Sequence, residues 1–331
     1  MPNYKQSPIA VVIPCFNDWD SLRQVITEID QAFAETQPTR IIIVDDGSNT
    51  AIPSDIASAY YDHLDRVDVV TLGANMGHQR ALCVGLTVAL EDSEVEQFAL
   101  MDSDGEDRPQ DLSRLSEALT AEIGAVVAQR GKRSEGSTFR FFNAIFRWLF
   151  RLFTGEKLDF GNFAILDRST ATRLVYMTDT WNNVPTSLMR SKAVIARLAT
   201  DRGSRYKGQS KLGFVGLVNH GLGAIATFAD VVFARLIVVA SLAFSGTVLV
   251  GVAALVVRIS IGRPLPGWFA LVTTALAIAS LLVLIFLTLL TFVMLAQRRQ
   301  TSLPPIVTAG DFIRAQHQVF PRPAQDSVCD S

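Results

Sequence analysis

The sequence predicts an α/β domain on a mostly parallel sheet, followed by two membrane-spanning helices. Three observations carry this reading. Strand and helix signals alternate through the first half of the chain. An apolar run, Phe98-Ala99-Leu100-Met101, breaks off in Asp102-Ser103-Asp104. Two long runs, 236–257 and 264–297, carry no charged residue. Alternation implies a parallel sheet covered by helices on both faces. Chain leaving the carboxyl end of a buried parallel strand faces the ligand crevice of such a sheet.

The elements follow in order. Ile9 to Ile13 reads as a strand stopped by Pro14, and Ser21 to Thr36 has helical spacing. Arg40 to Val44 is a second strand, ending in Asp45-Asp46-Gly47-Ser48. Val67 to Leu72 is a third, His78 to Leu90 is helical, and the Asp-Ser-Asp strand comes next. Gly124 to Ala128 is one more strand. Residues 1–210 are therefore read as one α/β domain. Within it, 140–153 holds six aromatic residues. Phe142, Ile145, Phe146, Leu149, Leu152 and Phe153 share one helical face, and Asn143, Arg147 and Arg151 lie opposite. That pattern suits a helix lying in a membrane interface, and equally an amphipathic helix on the sheet. Residues 211–230 form a glycine-rich juxtamembrane helix. Helices over 231–258 and 265–297 are long enough to cross a bilayer core. Residues 298–331 form a cytosolic tail, proline-bearing and expected to lack a core of its own.

Composition narrows the function. A net charge of -2 over 331 residues offers nothing to nucleic acid, and 49% hydrophobic residues is high for a purely soluble chain. The amino terminus shows no secretory signal, so the first 230 residues are expected to stay on the side of synthesis. Cys15, Cys83 and Cys329 have no metal or disulfide spacing and fit a reducing cytosol. Neither uncharged run, 236–257 or 264–297, contains an ionisable residue, which disfavours a channel. An Asp-x-Asp pair after a strand sets hard oxygen ligands where a divalent cation can bridge them to a diphosphate. A surface turn is written with the same letters.

Five motifs line up in sequence: Pro14-Cys15-Phe16-Asn17-Asp18, Asp45-Asp46-Gly47-Ser48, Asn75-Met76-Gly77-His78, Asp102-Ser103-Asp104-Gly105-Glu106 and Asp159-Phe160-Gly161-Asn162-Phe163. In this order, followed by two spans, they resemble the glycosyltransferase family 2 enzymes of GT-A fold. Within these they resemble the polyprenyl-phosphate glycosyltransferases, the bactoprenol glucosyltransferases and dolichyl-phosphate mannose synthases among them. The resemblance covers about residues 8–215 by motif and the spans by architecture. It implies a GT-A catalytic domain that passes a hexose from a nucleotide sugar to a polyprenyl phosphate on the cytosolic leaflet.

Residue by residue, the resemblance implies that Pro14, Phe16, Asp18, Asp45, Asp46, Asp102 and Ser103 contact the nucleotide. Asp18 is also a natural helix cap. Asp104 and Glu106, with Asp102, would hold Mg²⁺ or Mn²⁺. Arg130 and Arg133, and Arg205, Ser210 and Lys211 of an Arg-x-x-Gly-x-Ser-Lys segment, would grip the acceptor phosphate. A basic loop is also simply solvated, or drawn to anionic lipid. Asp159 is a base or an orienting group, and Asn162 stands where many members carry an acid. His78 is not favoured as a base. The resemblance further suggests UDP-glucose as donor and undecaprenyl phosphate as acceptor, with GDP-mannose as the alternative, and a homotetramer. A processive polysaccharide synthase is disfavoured because the chain has no Gln-x-x-Arg-Trp motif. A non-catalytic membrane scaffold is the reading from another class.

Overall fold

A computed structural model describes residues 7–33, 37–57, 59–130, 137–207, 214–262, 266–299 and 303–321. Its strands are β1 (Ile9–Cys15), β2 (Thr39–Asp45), β3 (Leu64–Leu72), β4 (Gln97–Leu100), β5 (Ala125–Arg130), β6 (Ala164–Asp167), β7 (Ile195–Thr200) and β8 (Ile313–Phe320). They form one eight-stranded sheet in the order β7-β5-β6-β4-β1-β2-β3-β8. β1 pairs in parallel with β2 and β4, β2 with β3, and β5 with β7; β6 and β8 run antiparallel to their neighbours. The expected mostly parallel α/β sheet is present.

The central strands are apolar on both faces, as burial on both sides requires. Ile9, Val11 and Ile13 face one core cluster with α1 (Trp19–Ala32), while Ala10 and Val12 face the other. The helix between β3 and β4, here α2 (His78–Glu91), packs on that second face, and Gly85 permits the approach. A Cβ there would stand 2.4 Å from Val12 Cγ1 and 2.6 Å from Val44 Cγ2. β1 continues through Pro14 to Cys15, further than the proline suggested from sequence.

The chain divides into two compact units. One comprises 1–144, 158–227 and 303–331; the other comprises 145–157 and 228–302. The first holds the sheet. It also holds α3 (Phe214–Ala226), the juxtamembrane segment.

The second unit holds the end of the helix Ser137–Thr154 and two helices of 33 residues each, Ala229–Ile261 and Gly267–Arg299. Stretches of 32 and 28 residues within the long pair meet the length and apolarity of a bilayer span, and almost none of their most apolar windows is buried. A core helix of a soluble domain would be mostly buried, so that alternative is not met. On the aromatic helix, Phe150 is fully buried and meets Phe228 edge-on at 5.7 Å. Trp148 (63% exposed), Leu152 and Ile145 stay open. The buried face thus centres on Phe150, which the face assigned from sequence did not include. Arg235 donates through Nη1 to the carbonyls of Leu152 and Phe153, closing this helix's carboxyl end.

From sequence the tail is expected to lack a core of its own; its described part joins the core of the sheet domain instead. Residues 313–320 add a strand to the free edge of β3, with Val69 opposite His317 and Val70 opposite Gln316. Ala309 and Val319 enter the two core clusters. Tyr60 and Tyr61 both meet Phe320 edge-on. An antiparallel strand about 240 residues after the strand it pairs with has no local signal, so sequence pattern missed it.

Candidate active site

The carboxyl ends of β1, β2 and β4 deliver the three acidic motifs to one end of the sheet, and hydrogen bonds between loops hold them together. Asn17, at φ 50°, donates its backbone N–H to Ser48 Oγ (2.9 Å), and its Oδ1 accepts from Asn49 N–H (2.9 Å). Asp45 accepts from Ser48 N–H (2.9 Å). Asp46 is buried and accepts two N–H bonds, from Met76 (2.7 Å) and Gly77 (3.0 Å). Its carboxylate therefore braces the loop that opens α2. Gly47, at φ +72°, is required in this crossing because a Cβ would fall 2.6 Å from Asn75 N. Burial pushes the Asp46 carboxyl above the usual carboxylate range, although both N–H bonds and His78 pull it down. Asp18 sits at the N-cap of α1, but its carboxylate accepts from the Ser21 hydroxyl (2.8 Å) and caps no backbone N–H.

The loop after β4 is gripped from above by residues 201–207. Tyr206 N–H donates to the Asp104 carbonyl (3.1 Å), and Gly203 N–H to the Glu106 carbonyl (2.9 Å). Gly105, at φ +84°, lies against the Tyr206 ring, where a Cβ would approach to 2.3 Å. Two arginines of this strap sit on the acids: Arg205 pairs with Asp104 and Arg202 with Glu106. Arg205 also lies 3.9 Å from Asp18 and 4.0 Å from Glu106. Lys207 pairs with Asp20 at 3.1 Å. Burial raises the Asp104 carboxyl, and the neighbouring charge of Asp102 adds to it. The Glu106 N–H and Arg205 pull the other way.

Asp104 and Glu106 are oxygen donors of the kind that suits Mg²⁺ or Mn²⁺. Among the described residues, no three His, Cys, Asp or Glu side chains are gathered to hold an ion. By donor chemistry the pair fits a divalent cation; by position, it is neutralised by guanidinium groups.

Asp102 faces the start of α2. His78 Nε2 lies 3.1 Å from Asp102 Oδ1, and the Asp102 backbone N–H donates to the buried Asp107 (3.1 Å). Asn162 Nδ2 lies 2.9 Å from the same His78 nitrogen. Gln79 Nε2 donates to Asn162 Oδ1 (3.0 Å), while its Oε1 accepts from Val184 N–H (2.7 Å). Burial by itself would lower the His78 pKa, but Asp102, with Asp107 and Asp104 behind it, leaves it raised.

Asp159 is half-buried, and both of its carboxylate oxygens are engaged. Its Oδ1 accepts from Arg197 Nε (3.1 Å) and its Oδ2 from Gln129 Nε2 (3.0 Å).

The sequence profile of Glycosyl transferase family 2 matches residues 10–181, just over half of the chain. The chain belongs to this family. The match runs from β1 through the Asp-Ser-Asp loop and the Asn162 loop.

An undecaprenyl-phosphate 4-deoxy-4-formamido-L-arabinose transferase of Pectobacterium atrosepticum is 27% identical over 155 residues, 46% of each chain. The chain thus spans about half the length of that relative. The transferase of the same name from Serratia proteamaculans is 23% identical over 265 residues, 78% of each chain. An uncharacterised glycosyltransferase of Synechocystis is 23% identical over 232 residues, 67% of this chain and 69% of that one. The crystal structure of mannosyl-3-phosphoglycerate synthase from Rubrobacter xylanophilus aligns at a TM-score of 0.48 with 18% identity. It covers 68% of this chain and 73% of that one.

In this family 2 chain the structure brings Asp18, Asp104, Glu106 and Arg205 together, and places Asp102 with His78 and Asn162. Phe16 and Ser103 are half-buried at loop positions, and Pro14 lies within β1 opposite Val44. Arg130 ends β5 beside Thr200, with only its backbone described. Arg133, Ser210 and Lys211 lie outside the described residues. Sequence reasoning missed Arg197, Arg202 and Gln79. Arg202 stands three residues before Arg205, but outside the matched motif, and Arg197 carries no motif at all.

Proposed function

We propose that this protein transfers a sugar from a nucleotide sugar to a polyprenyl phosphate at a membrane surface, inverting the anomeric carbon. The observation that carries the reading is the cluster of Asp104, Glu106, Arg202 and Arg205 at the carboxyl end of a family 2 sheet, in a chain that also carries two long apolar helices. The names of the Pectobacterium and Serratia relatives support the acceptor class.

In the reaction, an acceptor phosphate oxygen forms its bond to the anomeric carbon as the bond to the diphosphate oxygen breaks. The electron pair leaves with the diphosphate. The attacking phosphate is already anionic at neutral pH and needs little help from a base, so Asp159 serves to orient. Pro14, Phe16, Asp18, Asp45, Asp46, Asp102 and Ser103 line the nucleotide side. Arg130, Arg133, Arg205, Ser210 and Lys211 take the acceptor phosphate; guanidinium forks match phosphate oxygens. A Mg²⁺ or Mn²⁺ held by Asp104 and Glu106, with Asp102 beside them, would supply charge neutralisation for the departing diphosphate. Holding the lipid phosphate at the site contributes proximity, and the open Trp148, Leu152 and Ile145 suit an interfacial helix for that purpose.

The donor is read as UDP-glucose, with GDP-mannose as the alternative. The names of the relatives add a 4-formamido-arabinose donor to the panel. The chain is placed in the cytoplasmic membrane with two crossings and a cytosolic catalytic domain, as a homotetramer. Even crossings are supported by β8, which follows the second long helix yet pairs with β3. The test is transfer by purified protein in detergent, with undecaprenyl phosphate, Mg²⁺ and radiolabelled nucleotide sugars. Metal-dependent label in the lipid fraction, abolished by EDTA and by Asp104→Asn, is the expected result. Absence of label from every donor would favour the scaffold.

A further inference from the structure

We infer that Arg197 is an anion-binding residue of the active site, presented to the phosphate of the lipid acceptor and aimed by Asp159. The inference rests on the acceptor reading above.

A side chain as flexible as arginine binds an anion well only when its own ordering is met beforehand. Arg197 meets that condition on two sides. Its Nε donates to Asp159 Oδ1 at 3.1 Å, and the Asp159 side chain is only 9% exposed. Its guanidinium carbon lies 5.8 Å from the centre of the Phe160 ring. The other carboxylate oxygen is held by Gln129 at 3.0 Å, so the carboxylate cannot turn away. Among the described residues, the two terminal amino groups of Arg197 meet no acceptor, and the side chain remains 40% exposed. An arginine whose Nε is committed and whose terminal groups are open presents a fixed pair of donors, the arrangement that reads a phosphate or carboxylate.

The position suits the acceptor. Asp159 is three residues before Asn162, which bonds His78 beside Asp102. Three residues reach at most about 10 Å. Gln129 directly precedes Arg130, already assigned to the phosphate. β5 and β7 run in parallel with Val127 opposite Arg197, so Arg197 lies on the strand face that Val127 shares with Gln129.

The test uses the full-length protein in detergent with Arg197→Ala, Arg197→Lys, Asp159→Asn and the Arg197→Ala/Asp159→Asn double variant. Steady-state transfer expects the acceptor KM to rise about 10- to 100-fold in Arg197→Ala, with the donor KM unchanged. Arg197→Lys should recover part of it. Asp159→Asn should raise the acceptor KM less, and should add nothing on top of Arg197→Ala. Equilibrium binding of labelled undecaprenyl phosphate against undecaprenol gives a readout without turnover. Wild type should prefer the phosphate, and Arg197→Ala should lose most of that preference. An unchanged acceptor KM and preference, or a shift in donor KM alone, would overturn the assignment. If wild type transfers from no donor yet Arg197→Ala abolishes phosphate-selective binding, the reaction reading falls while the anion site stands.

Discussion

Replacing Arg202 by alanine should tighten the binding of Mn²⁺ to the ligand-free protein. Arg202 rests on Glu106, and Arg205 on Asp104, so a cation seeking those carboxylates must first displace a guanidinium. The strength of that competition follows from exposure. The Arg202 and Glu106 side chains are 20% and 21% exposed, and Arg205 and Asp104 are 22% and 12% exposed. These pairs are neither solvent-exposed, where an ion pair contributes about 0–1 kcal/mol, nor sealed, where losing a partner costs about 3–5 kcal/mol. An intermediate value of about 1–2 kcal/mol per pair corresponds to roughly 5- to 30-fold in affinity. Arg202→Ala leaves Arg205 in place and exposes Glu106 to the ion. The assay is a titration of Mn²⁺ followed by the spin-resonance signal of the free ion, at neutral pH and without nucleotide. Equal or weaker binding by Arg202→Ala, or no Mn²⁺ binding by either protein, would refute the argument that guanidinium and metal share these oxygens.

Three further outcomes are expected. Asp46→Ala leaves the Met76 and Gly77 N–H groups without their acceptor, and should lower stability by about 2–4 kcal/mol, read as a fall in unfolding midpoint. Gly105→Ala forces both a left-handed alanine and a shift of the Tyr206 ring; a cost of about 1–3 kcal/mol should release the strap, seen as faster tryptic cleavage at Arg202, Arg205 and Lys207. His78 in the metal-free protein should titrate above its ordinary value, because the surrounding carboxylates outweigh its burial. A raised folded pKa gives stability that is complete below the unfolded pKa and is lost as pH rises through the folded one. The gap in unfolding midpoint between wild type and His78→Gln should therefore shrink as pH climbs through that window.

Much of the site was legible because its parts are local. Asp-Asp-Gly-Ser and Asp-Ser-Asp-Gly-Glu each follow an apolar run, and a strand that ends in turn-forming acids can be read without knowing its neighbours. What escaped was set by distance along the chain. The strand Ile195–Thr200 is only half-buried and its alternation is weak, so Arg197 offered no signal until Asp159 was seen against it. The strand Ala164–Asp167 is four residues long. Asp46 was legible as a functional letter, yet its use of both oxygens on Met76 and Gly77 depends on a crossing of two loops thirty residues apart. The aromatic helix was found by composition, but its inward residue, Phe150, was set by Phe228, far beyond any helical period.

The eighth strand bears on how the molecule is made. A ribosome working from the amino terminus finishes β1 to β7 first, then both long apolar helices, and only afterwards Ile313–Phe320. Until then the outer edge of β3 is an open row of backbone donors and acceptors, the kind of edge that recruits stray strands. The long helices are therefore an insertion within a single folding unit, and the unit stays unfinished while they are being synthesised. A chain cut short after residue 300 would carry every acidic loop described above and still expose that edge. Completion of the sheet waits until both membrane-spanning candidates have emerged.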